Sequence, residues 1–159
     1  MASKEELIHE LEQARYVMRA LLWDLEKAHA ESKELYPTWT VKELLSHLAG
    51  WDDACIASLQ AHAQGDVPAT PASRGIDLYN ESTVAERAAL PLEHVIKEWE
   101  QTRQVFLQTI RDLPAEKLAE TFVFPWGPKG TLESMVTIFA EHEMEHAEEI
   151  RKKWIVPVD

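Results

Sequence analysis

The chain has 159 residues, 45% of them hydrophobic, and a formal net charge of −12. That length and apolar content suit one domain, residues 1–159, with a real core, and exclude a disordered chain. The acidic balance disfavours phosphate backbones and anionic membrane surfaces as partners, so neither nucleic acid nor membrane binding is expected. The single cysteine, Cys55, excludes an intrachain disulfide and a cysteine-rich zinc site. The first residues lack the apolar core of a signal peptide, and no run of apolar residues reaches membrane-spanning length; a cytoplasmic protein is expected.

Ser3-Lys4-Glu5-Glu6 reads as a capping box, and the helix behind it carries the stripe Leu7, Leu11, Ala14, Met18, Leu21, Leu22 and Leu25. It is expected to fray near His29 to Lys33 and to be over by Tyr36-Pro37, because a residue before proline leaves helical space. Thr40-Val41-Lys42-Glu43 is a second capping box. The helix it opens shows Val41, Leu44, Leu45, Leu48, Trp51, Cys55, Ile56 and Leu59, with His47 between Leu44 and Trp51 on the same stripe. Gly50 inside this helix costs about 1 kcal/mol against alanine, which close approach of another helix or a ligand would explain.

Residues 65–75 read as a surface loop, and Thr83 as the cap of a short helix over Thr83-Val84-Ala85-Glu86. Pro91 stands at the start of a third long helix with Val95, Trp99, Thr102, Phe106, Ile110 and Leu113, closed by Pro114. The Pro- and Gly-containing stretch from Phe122 to Gly130 reads as a structured turn with an extended piece at Thr121 to Phe124. Thr131 caps the fourth helix, whose stripe is Leu132, Met135, Val136, Phe139, His142, His146 and Ile150; Arg151, Lys152 and Lys153 complement its dipole. Four amphipathic helices with one long crossover predict an all-α four-helix bundle.

His142 and His146 are four residues apart, so both imidazoles lie on one helical face with Cβ atoms about 6 Å apart. With His47 they make three candidate ligands on core stripes. Three imidazoles suit zinc, nickel, copper or iron, and three protein ligands leave a position open for water, a thiol or a substrate. The bland reading is three hydrogen-bonded core histidines in a structural bundle. His142-Glu143-Met144-Glu145-His146 also fits the HExxH pattern of zinc peptidases, but Glu149 and Lys152 stand where the extended pattern needs Gly and His. A di-iron site is a poor fit: Glu143-x-x-His146 is only half of one, and the third stripe carries no glutamate. Glu143 and Glu145 are the candidate acid/base or supporting residues. Trp51, one turn beyond His47, is expected to wall a pocket, Trp126 to cover its mouth and Asn80 to reach a substrate. Trp39 and Trp99 are read as core packing, and so is Cys55.

The run Trp39-Thr40-Val41-Lys42-Glu43-Leu44-Leu45-Ser46-His47-Leu48-Ala49-Gly50-Trp51 and the His142-x3-His146 pair resemble the motifs of the DinB-like superfamily of metal-binding four-helix bundles. That superfamily includes the mycothiol-dependent maleylpyruvate isomerase N-terminal domain, the bacillithiol transferases and the ClbS/DfsB group. The opening Ser3-Lys4-Glu5-Glu6-Leu7-Ile8 and Leu78-Tyr79-Asn80-Glu81 look more like the ClbS/DfsB side. The resemblance implies an up-down-down-up bundle with a long crossover between helices two and three. It implies a divalent metal, zinc or nickel, at His47, His142 and His146, and frequent homodimers. It implies attack by a low-molecular-weight thiol or water on a small electrophile, as in a thiol transferase, isomerase or hydrolase. The alternative it implies is a non-catalytic small-molecule binding or self-protection protein.

Overall fold

The computed structural model describes residues 1–36 and 39–155. The long helices are α1 (Lys4–Asp24), α3 (Val41–Gln64), α5 (Leu92–Asp112) and α6 (Leu132–Ile150). A short α2 (Lys27–Ala30) follows α1, and α4 (Ile76–Arg87) lies in the crossover from α3 to α5. A two-stranded hairpin, β1 (Phe122–Val123) and β2 (Lys129–Gly130), precedes α6, with Phe122 opposite Gly130. The architecture is all-α; α3 packs on α5 and α1 on α6.

Side-chain caps set the starts of three of the four long helices, α1, α3 and α6. The Thr40 side chain accepts from the Glu43 N–H at 3.1 Å while the Glu43 carboxylate accepts from the Thr40 N–H at 3.4 Å, a complete capping box. Thr131 forms the same reciprocal pair with Ser134. At α1 only half of the expected box exists: Ser3 accepts from the Glu6 N–H, and no bond returns from Glu6 among the described residues. α3 ends at Gly65 with φ 69°, and the Asp66 N–H returns to the Ala61 carbonyl at 3.0 Å, the left-handed stop that glycine makes cheap.

Two expectations are corrected. α1 stops at Asp24 instead of fraying through His29, and the next residues form α2; Pro37 lies outside the described residues. Thr83 does not cap a helix. It is buried inside α4, whose first residues are the stretch from Ile76, and its hydroxyl donates to the Asn80 carbonyl at 2.6 Å. Thr83 also explains Gly50. A Cβ at position 50 would stand 2.2 Å from Thr83 Cγ2, so only glycine lets α4 approach α3 this closely. The Tyr79 hydroxyl donates to the Gly50 carbonyl at 2.6 Å and fixes that approach.

The core divides into two apolar clusters along the bundle. One holds Leu7, Leu11, Cys55, Leu59, Phe106, Ile110, Met135, Val136 and Phe139. The other holds Met18, Val41, Leu44, Leu45, Leu48, Val95, Trp99, Ala147 and Ile150. α1 and α6 pass from the first to the second, and α3 and α5 pass the other way. Between the clusters each long helix contributes one charged residue: Arg15, Asp52, Arg103 and Glu143, all buried. Arg15 donates from Nε to Glu143 at 2.7 Å, from Nη2 to Asp52 at 3.0 Å and from Nη1 to the Trp99 carbonyl. Arg103 donates to Asp52 at 3.1 Å and to the Leu11 carbonyl at 3.0 Å, and its Nη2 stands 3.1 Å from the other Glu143 oxygen. The layer is neutral, two charges of each sign, and every member has a partner of opposite charge, the condition for burying ions without a large penalty.

Candidate metal centre

His47 of α3 meets His142 and His146 of α6 across the bundle. One nitrogen from each imidazole can be chosen so that all three lie within 4.8 Å of one another. His142 Nε2 and His146 Nε2 are 3.0 Å apart, and the His47 ring centre lies 5.2 Å from that of His142 and 6.2 Å from that of His146. The sequence placed all three on core stripes. The structure buries only His47 and leaves the pair half-buried at the bundle edge. The buried face of α6 runs through Glu143 and Ala147 instead, one residue further round the helix than expected.

Two of the three imidazoles are pushed toward the neutral form that a metal requires. Burial pushes the His47 pKa down to about 3, and the neighbouring His142 and His146 push it the same way. Burial and His146 also lower His142. His47 Nδ1 is buried with no hydrogen-bond partner among the described residues. A neutral nitrogen without a partner is a cost unless something accepts its lone pair. Two nitrogens 3.0 Å apart approximate the edge of a zinc coordination tetrahedron, about 3.3 Å for bonds near 2.0 Å. The donor set therefore fits a borderline divalent cation such as zinc or nickel.

A cavity of about 240 Å³ opens beside His47 and His142, walled by Trp51, Trp126 and Phe139 with Asn80 at its side. The Trp51 and Trp126 ring centres are 6.0 Å apart, and the hairpin holds Trp126 there through Phe124 at 5.0 Å. Trp51 Nε1 donates to Asn80 Oδ1 at 2.7 Å, which fixes the amide that the sequence offered for substrate contact. Trp39 packs against His47, ring centres 5.0 Å apart.

Glu143 and Glu145 do not join this constellation. Glu143 belongs to the buried charge layer, where Oε1 accepts from Arg15 and, at 3.1 Å, from Trp99 Nε1. Glu145 is exposed and lines a wide concavity of about 960 Å³ between α1 and α6, with Glu6, Glu10 and Glu148 on its walls and none of the three histidines. The spacing of both glutamates beside histidines was real, but a one-residue step on a helix turns a side chain by about 100°. Cys55 is fully buried, which pushes its thiol pKa well up and agrees with packing.

Sequence reasoning missed Tyr36. Its hydroxyl lies 2.8 Å from His146 Nδ1 and donates to Glu149. No local pattern announces this, because Tyr36 comes from the segment before α3 and reaches α6 only in the folded chain.

The sequence model of the DinB superfamily matches residues 10–150. No curated protein sequence matches the chain. Among solved structures, the mycothiol-dependent maleylpyruvate isomerase superposes with a TM-score of 0.80 at 13% identity. That alignment covers 94% of this chain, which spans 61% of the isomerase chain. The colibactin self-resistance protein ClbS, in complex with a double-stranded DNA, superposes with a TM-score of 0.81 at 17% identity over 99% of both chains. A protein from Streptococcus pneumoniae gives 0.78 at 16% identity over 98% of this chain and 93% of its own. At these identities the likeness concerns the fold. Among the described residues no helix is long and apolar enough to cross a membrane.

Proposed function

As a member of the DinB superfamily, to which it belongs, this chain is, we propose, a metal-dependent enzyme that uses a low-molecular-weight thiol or water against a small electrophile. The observation that carries the reading is the three-histidine cluster with an orphaned His47 nitrogen, opening on an aromatic cavity. His47, His142 and His146 would hold the metal, zinc or nickel by donor type. Bound there, the ion would act as a Lewis acid on the thiol or water.

The chain's own residues supply the surroundings. Trp51, Trp126 and Phe139 exclude water and offer flat apolar walls to the electrophile. Asn80, held by Trp51 and beside His47, presents its amide at the cavity's side to orient a polar substituent. The cavity suits a small molecule. A thiol as the nucleophile is supported by the fold shared with the mycothiol-dependent isomerase.

The test is metal content of untagged protein by plasma mass spectrometry, wild type beside His47→Ala. About one metal per chain in the wild type and loss in the variant are expected. A wild type that stays metal-free after zinc and nickel reconstitution would refute the reading. A second reading, sequestration of a reactive small molecule without turnover, draws on the likeness to ClbS over nearly the whole of both chains. More than one turnover per chain with any electrophile excludes it. The net charge of −12 argues against a nucleic-acid partner here, and a salt titration with duplex DNA should show no binding at physiological ionic strength.

A further inference from the structure

Two groups outside the histidine cluster, Tyr36 and Glu149, stand behind His146. Tyr36 Oη is 2.8 Å from His146 Nδ1 and is hydrogen-bonded to Glu149 Oε2, which itself stands 3.4 Å from the same Nδ1. The Tyr36 ring meets His146 edge-on, with centroids 5.8 Å apart and planes at 78°.

The proton count decides the direction of these bonds. A carboxylate accepts and cannot donate, so the single phenolic proton of Tyr36 goes to Glu149. The Tyr36 oxygen is then an acceptor toward His146, and the proton between them must come from Nδ1. A neutral imidazole has one N–H, so Nε2 is left bare. That Nε2 faces His142 Nε2 at 3.0 Å, and with Nε2 of His146 bare the proton of that contact would come from His142.

We propose that Tyr36 and Glu149 lock His146 in its Nδ1–H tautomer and so present a bare Nε2 to the histidine cluster. Tyr36 is a positioning residue: it touches no substrate and acts through His146. The inference deepens the metal reading and rests on it for its purpose, but its measurement is separate, since the tautomer is a property of the metal-free protein. Partners behind a ligating histidine fix both its ring orientation and its tautomer, and their removal costs about 10- to 100-fold in metal affinity. Glu149 ties the device to the C-terminal part of α6, and Tyr36 ties it to the segment that leads into α3, so the lock forms only when both ends are in place.

The experiment is nitrogen-resolved NMR of the histidine side chains in metal-free protein at mildly alkaline pH, with zinc affinity measured by chelator competition. Wild type should show His146 protonated at Nδ1. Tyr36→Phe, which removes the oxygen and keeps the ring, should give a mixture of tautomers and bind zinc about 10- to 100-fold more weakly at unchanged stoichiometry. Glu149→Gln, of the same size, removes the charge that holds the phenolic proton and should shift the tautomer the same way. A simple packing role for Tyr36 would alter thermal stability without moving the tautomer. A wild type protonated at Nε2 overturns the proposal, as does an unchanged tautomer in both variants. If wild type binds no zinc, the metal reading falls and the tautomer still decides this proposal.

Discussion

α3 and α6 each carry two kinds of polar residue into the bundle, and the two clusters they build differ in what their atoms still lack. In the charge layer, Arg15, Asp52, Arg103 and Glu143 meet one another, with Trp99, Thr102 and backbone carbonyls supplying further hydrogen bonds. In the histidine cluster, by contrast, His47 Nδ1 has no partner among the described residues, and two ring nitrogens face each other across 3.0 Å. The first is two-signed and self-compensating: even Glu143 Oε2, which makes no hydrogen bond among the described residues, has the Arg103 guanidinium 3.1 Å away. The second is open and of one kind, the arrangement that the proposed metal site needs. Asp52 follows Trp51, and Glu143 follows His142, so the charge layer also fixes how α3 and α6 present the histidines.

Breaking the layer should have the largest effect. Asp52→Ala leaves both arginines short of their main counter-ion and should cost about 3–5 kcal/mol, read from the urea midpoint. A loss below about 1 kcal/mol would mean that the two clusters do not differ as described. Next comes zinc. At a free concentration 100-fold above Kd it should stabilise wild type by about 2.7 kcal/mol and leave His142→Ala unshifted in a thermal scan. Equal shifts in both proteins would place the metal elsewhere.

Gly50→Ala drives a methyl into Thr83 and should cost about 1–3 kcal/mol, with part regained in the Gly50→Ala, Thr83→Ser double variant. No coupling between the two sites would deny that close approach of α4 sets that wall of the cavity. The smallest effect belongs to the exposed counterpart of the buried pairs. Arg19 donates to Glu100 at 2.7 Å on the surface, and Arg19→Ala should change stability by only about 0.2–1 kcal/mol. A loss as large as that of Asp52→Ala would show that burial is not what separates these ion pairs.

Much of this was legible before the fold. Periodicity placed all four long helices, and Thr40 and Thr131 marked the starts of α3 and α6. The spacing of His142 and His146, with His47 on another stripe, found the three residues that converge. The charge layer also left a signal that periodicity alone passes over. Arg15, Asp52, Arg103 and Glu143 each stand four residues after a core residue, Leu11, Leu48, Trp99 and Phe139. A charge in phase with a stripe reads locally as an interruption, and only four such interruptions at one level make a network. α4 was misread because Thr83 carries a capping residue's chemistry while serving as a buried contact.

The sequence by itself determined what is periodic or local: the helices, their caps, the apolar stripes and the residue types able to hold a metal. Tertiary structure alone decided which neighbours on a helix point at which cluster. It sent Glu143 to the arginines and His142 to His47, although the two are adjacent in the chain. It also brought Tyr36 and Glu149 behind His146. The physical reason is that a helix turns by about 100° per residue, so the partner of a side chain is set by the element packed against that face. Which element that is depends on how the four helices assemble, and no single segment encodes it.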